Sequence, residues 1–344
     1  MLELRGGAGR GSQEATGGRQ RGVFLLRELC REGVFGLMRL KCLKLLFVLV
    51  FVGLAFLLGG CTNPDGYERL SLSNTQPVGY RQQDTDRALR VAFASITSPK
   101  ESLVYYGELL RYLEEHLDRP IKVIQRKTYK EVNDLLAAGE VDLAFICTYS
   151  YVLGVEDFGL QPFLVPEIRG KTTYQSYIIV PTDSAVRDFA DLEGKRFAFT
   201  DPWSTSGYLY PRYLVELRGE TTESFFQRTI YTYSHDNSIK AVAEKVVDGA
   251  AIDGLVLDYI AEKNPEFAAQ VRVIHKSREF GSPPVVVSPK LDERTKSRLK
   301  TTFLEMHLNA EGREILEHLR TDRFVEQEDS DYDTVRQLAE AVFR

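Results

Sequence analysis

From Ala88 onward short apolar runs alternate with segments of helical spacing, and this alternation restricts the fold more than any other feature of the chain. Residues 89–94 read as a strand broken by the polar stretch 95–99. Residues 102–117 then place Leu103, Tyr106, Leu109, Leu110 and Leu113 on one helical face. A strand over 121–125, a helix over 129–138 closed by Gly139, and a strand over 141–146 follow. Further strands are expected at 174–180, 196–200, 230–233, 249–252, 272–275 and 283–287. A helix is expected over 208–217, and the stretch 292–343 reads as mostly helical. Such alternation implies parallel sheets with helices on both faces. Two such sheets suggest two lobes with a cleft between them. Open sheets of this class bind ligands beyond the carboxyl ends of their strands, so the residues that follow each strand carry the functional argument. No repeat of solenoid or propeller period is present.

The residues before Ala88 read as an address and a tether. A basic stretch at 38–44 precedes fourteen uncharged residues, 45–58, and the run ends in Leu58-Gly59-Gly60-Cys61. A basic start, a short apolar run and small residues before a cut describe a secretory signal. The run is too short for a bilayer span of about 20 residues. Leu-Gly-Gly-Cys resembles a bacterial lipobox, with Cys61 as the lipid attachment. The expected division is therefore an upstream extension over 1–37 with Met38 as the start, a lipoprotein signal over 38–60, and a flexible polar tether over 61–87. Of the four cysteines only Cys61 and Cys147 would survive processing. No disulfide, metal site or cofactor is expected.

Charge excludes one large class of function. The chain carries a formal charge of −5, yet residues 1–60 hold nine Lys and Arg against four Asp and Glu, so the remainder stands near −10. A body that acidic does not coat nucleic acid.

Four segments that follow strands can carry chemistry. Ser204, Thr205 and Ser206 with Gly207 precede a helix, where unsatisfied N–H groups and the helix dipole favour an anion and hydroxyls add donors. Helix capping alone would need one of them. His235, after the strand at 230–233, can donate to an oxyanion or serve the fold. Asp253, after the small-residue strand 249–252, can accept from a protonated phosphoryl oxygen, pair with an amine, or cap a helix. Tyr149 and Tyr151 follow the strand at 141–146, and Tyr106 can join them in walling the cleft.

In this order the segments resemble the phosphate/phosphite/phosphonate substrate-binding proteins of ABC transporters. The matching stretches are 139–145, 174–180, 191–199, Asp201-Pro202-Trp203-Ser204-Thr205-Ser206-Gly207, Ser234-His235, 247–253, and Asp329-Ser330-Asp331-Tyr332-Asp333. The family commonly has Gly-Pro where Cys147-Thr148 stand, and Trp203 replaces an expected small polar residue.

The resemblance implies a two-lobed type II periplasmic-binding fold, each lobe a mixed sheet flanked by helices. Lobe 1 would comprise 88–176 and 281–344, and lobe 2 would comprise 177–280. By motif, Ser204, Thr205, Ser206, His235 and Tyr151 would contact a phosphorus oxyanion, with Asp253 accepting from it; Tyr149 and Tyr106 are expected at the ligand from their places in the chain. The expected protein is a lipid-anchored, exported monomer that delivers its ligand to an ABC permease. A sensory protein of the same fold, reporting a small anion to a membrane kinase, is the alternative. A hydrolase using Ser204 or Ser206 with His235 and Asp253 lacks a Gly-x-Ser-x-Gly elbow, and no catalytic residue is expected.

Overall fold

A computed structural model describes residues 88–343. The extension, signal and tether expected over 1–87, with Cys61, lie outside the described residues. Among the described residues no helix is long and apolar enough to cross a membrane, and Cys147 is a free, buried thiol.

Two mixed sheets form the frame. The first contains β1 (Leu89–Phe93), β2 (Ile121–Gln125), β3 (Leu143–Phe145) and β12 (Val285–Val287), in the order β12-β3-β1-β2. The second contains β6 (Ser176–Pro181), β7 (Arg196–Phe199), β8 (Arg228–Tyr231), β9 (Gly249–Asp253) and β10 (Val271–Lys276), in the order β10-β6-β9-β7-β8. In each sheet three strands are parallel and the next is antiparallel. β1 lies between β2 and β3 with β12 reversed, and β7 lies between β8 and β9 with β6 reversed. The two lobes therefore repeat one topology. The reversed strands make each sheet mixed, as the family resemblance implies, because each chain crossing enters its sheet from the opposite end.

Helices follow the parallel strands. In the first lobe these are α1 (Pro99–Leu117), α2 (Tyr129–Ala138) and α3 (Thr148–Phe158). In the second, a wide first turn over Thr205–Leu209 runs into α4 (Tyr210–Glu216); α5 (Thr222–Phe225) precedes β8, and α6 (His235–Ala243) and α7 (Gly254–Lys263) follow β8 and β9. Starts lie earlier than apolar spacing alone places them. Pro99 sits in the first turn of α1, where its missing N–H costs nothing, and Ser204 caps the helix at 205.

Short strands stitch the crossings. β5 (Thr173–Tyr174) pairs with β11 (Phe280–Gly281), and β4 (Val165–Glu167) pairs with β13 (Arg323–Val325). The sequence pattern did not reveal β4 and β13, since three-residue strands, one of them holding Pro166, show no period. Beside the first pair, Ser277 donates its N–H to Ser176 O and accepts Ser176 N–H on its hydroxyl at 2.8 Å. The chain closes with α8 (Pro265–Ala268), α9 (Glu293–Glu305), α10 (Ala310–His318) and α11 (Asp333–Phe343). Val335, Leu338 and Val342 of α11 enter a core shared with Tyr151, Leu209 and Phe280.

One device recurs at the root of both sheets. Asp142, just before β3, accepts Arg90 N at 2.8 Å and grips the Arg90 guanidinium through both oxygens. Asp248, just before β9, does the same to Arg196. Each aspartate sets the register of two parallel strands by answering a backbone N–H and a side chain at once. Asp142→Ala leaves Arg90 N–H and its guanidinium without their acceptor, and should cost about 2 kcal/mol in urea unfolding. Asp248→Ala, at the more exposed pair, should cost less.

Candidate functional site

Each lobe presents the ends of its parallel strands to the other, and the helices that start there face one another. In the second lobe Ser204 Oγ accepts Gly207 N–H at 3.0 Å, and Ser204 O accepts from Tyr208 and Leu209. Gly207 is required here, because a Cβ would lie 2.4 Å from Thr200 Oγ1. Ser206 O accepts the Ser176 hydroxyl, while Ser206 Oγ is buried and has no partner. Thr205 N–H meets Cys147 Sγ of the first lobe at 3.4 Å.

His235 opens α6 after a left-handed residue, Tyr233 (φ 59°), which turns the chain off β8. Its Nδ1 lies 3.0 Å from Asp253 N and 3.1 Å from Thr200 Oγ1. A backbone N–H can only donate, so Nδ1 accepts and the ring proton sits on Nε2. Burial holds the imidazole well down, at about 3, so the ring is a neutral N–H donor.

Asp253 caps α7 by accepting Leu255 N–H at 2.8 Å on Oδ1. Burial nevertheless pushes its carboxyl up to about 7, and nearby Asp258 adds to the rise. The group therefore keeps a proton close to neutral pH. This arrangement is not a Ser-His-Asp triad. The His235 Nδ1 takes a backbone N–H, whereas a triad aspartate must accept from that nitrogen.

The first lobe supplies residues that sequence reasoning missed. Tyr129 opens α2 as His235 opens α6. Its ring is fully buried, and its hydroxyl has no partner. Tyr174, in β5, is likewise buried; its hydroxyl lies beside Thr148 and Thr205 but makes no bond of normal geometry. Both phenols feel the charge of Asp253, and burial raises both well above the ordinary phenol range. Cys147 caps α3 at the position that Asp253 takes on α7, and burial pushes its thiol up, so it stays protonated.

Two expected residues are placed elsewhere, and a third lies beside Asp253. Tyr151 donates its hydroxyl to Asp329 at 2.6 Å and packs on Tyr332, anchoring the start of α11. Tyr149 stacks on Phe343. Tyr106 stacks on Phe93 in an apolar cavity that Asp253 also lines. The first two lie within α3, which begins at Thr148, so their side chains leave the strand end. No sequence signal separates them from residues that remain there.

The lobes are tied directly. Asp201 Oδ2 accepts Tyr129 N–H at 3.1 Å, Asp236 Oδ1 accepts Ser98 N–H at 2.9 Å, and Ile96 O accepts His235 N–H.

Residues 91–332 match the profile of the family described as ABC transporter, phosphonate, periplasmic substrate-binding protein. The chain belongs to that family. A phosphonates-binding periplasmic protein of Escherichia coli is 28% identical over 262 residues, covering 75% of this chain and 77% of that protein. A phosphate-import protein of Mycolicibacterium smegmatis is 29% identical over 211 residues, covering 58% of this chain and 66% of that protein. The crystal structure of a binding component of an ABC phosphonate transporter from Pseudomonas aeruginosa superposes with TM-score 0.69 at 25% identity, covering 73% and 85% of the two chains. A Prochlorococcus marinus protein in complex with methylphosphonate has TM-score 0.66 at 19% identity, over 74% and 97%, a likeness of fold. The two-lobed type II periplasmic-binding fold is thus established. As a family member the protein is a periplasmic component that captures a solute for an ABC importer.

The neutral state of His235 has a direct readout. Its ring nitrogens should show the Nε2–H tautomer by ¹⁵N NMR and no titration between about pH 5 and 8. A midpoint near 6.5 would show that the ring is not buried as described.

Proposed function

We propose that the protein captures a phosphorus oxyanion (phosphonate, phosphite or phosphate) between its lobes and hands it to an ABC permease. One observation carries this reading. Buried hydroxyls without partners on Ser206, Tyr129 and Tyr174 stand with a neutral N–H donor on His235 and a proton-bearing carboxyl on Asp253. Buried polar groups are almost always satisfied, so a cluster of unpaired donors calls for an acceptor-rich ligand. Three oxygens on a tetrahedral centre meet that demand. Without Lys or Arg, the donors hold the anion through hydrogen bonds that can be released one by one.

The relatives named for phosphonates and phosphate support the class of ligand. Ser204 serves as the cap that aims the hydroxyl loop, and Thr205 joins it to Cys147. Tyr106 borders the site from the apolar side, while Tyr149 and Tyr151 brace the last helix. The lobe division that goes with this reading has 88–176 and 281–344 in one lobe and 177–280 in the other. Cleavage before Cys61 and lipidation of that cysteine would hold a monomeric protein at the membrane, with 61–87 as its tether.

Asp253 supplies selectivity. The pair formed by its carboxyl and a phosphoryl oxygen needs one proton between them, whichever group carries it. Sulfate brings none near neutral pH, so only the aspartate can supply it.

Two outcomes test this reading. Ser206→Ala and Tyr129→Phe each remove a hydrogen bond to a charged group, worth about 1.5–3 kcal/mol, so each should weaken phosphonate binding by at least about tenfold. Calorimetry that finds both unchanged would take the oxyanion away from this cluster. Affinity should also fall by about tenfold per pH unit above roughly pH 7, as the shared proton is lost. Asp253→Asn should flatten that slope and admit sulfate; a variant with the original slope and selectivity would leave Asp253 a structural cap.

A further inference from the structure

We propose that the site is built for a phosphonate whose carbon substituent is an uncharged alkyl or aryl group of roughly benzene size. The proposal rests on the oxyanion reading above and specifies its substrate class. It comes from a cavity of about 130 Å³ lying beside the donor cluster.

Three links join the two. Asp253 belongs to both, since it lines the cavity while its N–H holds His235. Ile146 lines the cavity and directly precedes Cys147. Ile96 lines it and accepts His235 N–H on its carbonyl. The other walls are mainly aromatic and aliphatic, among them Phe93, Tyr106, Phe145, Val256, Tyr259 and Phe324, with Thr97, Ser102 and Thr321 also on the lining. Phe93, Tyr106 and Phe145 pack ring on ring, with centroids 4.5–5.0 Å apart, so this wall is rigid. An apolar cavity of ~150 Å³ in another protein stays dry and binds benzene, which sets the size of group that fits here.

The geometry of phosphonates makes the juxtaposition meaningful. Three vertices of the tetrahedral phosphorus are oxygens and the fourth is carbon. With the oxygens held by the hydroxyls, His235 and Asp253, the carbon would be directed past Asp253 into the cavity that the same residue lines. Inorganic phosphate would turn an oxygen toward those walls. A substituent bearing an ammonium group would lose its hydration there, facing a carboxyl on Asp253 that tends to keep its proton; Glu101 is exposed at the rim.

The single tryptophan, Trp203, sits in the hydroxyl loop and reports binding by its own fluorescence. The full chain, in detergent, is titrated with methylphosphonate, n-butylphosphonate, phenylphosphonate and 2-aminoethylphosphonate. The expected result is that butyl- or phenylphosphonate binds at least tenfold more tightly than methylphosphonate, and 2-aminoethylphosphonate binds no more tightly than methylphosphonate. Ile168→Phe, which adds bulk at the cavity wall, should erase that gain and leave methylphosphonate affinity within about twofold. Binding of methylphosphonate with no gain for the larger groups, or tightest binding of the amine, overturns the substrate class while leaving the oxyanion reading intact. No binding of any phosphonate by a folded sample overturns both. The ligand series alone decides the matter should the variant fail to fold.

Discussion

Helix N-termini leave backbone N–H groups that must find acceptors, and here the two lobes supply acceptors to each other. Tyr129 N–H at the start of α2 goes to Asp201 across the cleft, His235 N–H at the start of α6 goes to Ile96 O, and Ser98 N–H before α1 goes to Asp236. Everything else about the site depends on this exchange. It brings strand ends from two sheets face to face, excludes water from them, and leaves the side-chain donors between them buried. Asp201 illustrates the economy, since one oxygen shapes its own loop through Trp203 N–H while the other caps the opposite lobe. A lobe separated from its partner would expose these N–H groups to water, at modest cost. The bonds that hold the lobes together are therefore of a strength that ligand binding can tip in either direction.

The repeated topology explains how so asymmetric a site arises from so regular a frame. The strand order β12-β3-β1-β2 in one lobe matches β6-β9-β7-β8 in the other, and both are rooted by the same Arg–Asp grip. Equivalent positions then carry different chemistry. Tyr129 answers His235 at the start of corresponding helices, and Cys147 answers Asp253 as corresponding caps. One lobe presents phenol and thiol, and the other presents imidazole and carboxyl. All four groups are electrically neutral near pH 7 or close to it, for one reason: burial without an opposite charge disfavours the ionised form. The charge that completes the site must come from the ligand.

Part of this was legible in the sequence. The hydroxyl loop, His235 and Asp253 each follow a strand, and the structure brings them together because strand ends converge at the cleft. The alternation of short apolar runs also placed the main strands and helices, though with boundaries shifted by a few residues. What could not be read depends on direction and partnership. Tyr129 and Tyr174 look like core aromatics by spacing, and they are core aromatics by burial. Only the missing partner of each hydroxyl distinguishes them, and that is a tertiary property. Tyr151 fails in the opposite sense. It follows β3 closely in sequence, but α3 begins at Thr148, so the helix rotates it toward Asp329. Among the hydroxyls of the loop, Ser204 spends its oxygen on Gly207 N–H, so capping and anion binding, which compete in any sequence reading, are divided here between neighbours.

The same burial that neutralises the polar groups makes the apolar cavity consequential. A charged oxyanion enters a site of neutral donors only if the hydrogen bonds replace its hydration, which favours a ligand whose oxygens match the donors in number and direction. Once those vertices are committed, the remaining one is the only place where further affinity can be gained. An apolar wall there rewards area removed from water, at about 25 cal/mol per Å², without disturbing the proton balance at Asp253. A polar or charged wall would have altered that balance, because any nearby charge shifts the carboxyl that the anion must share. The apolar lining thus does two things at once: it offers the organic group a matching surface, and it keeps Asp253 a proton carrier.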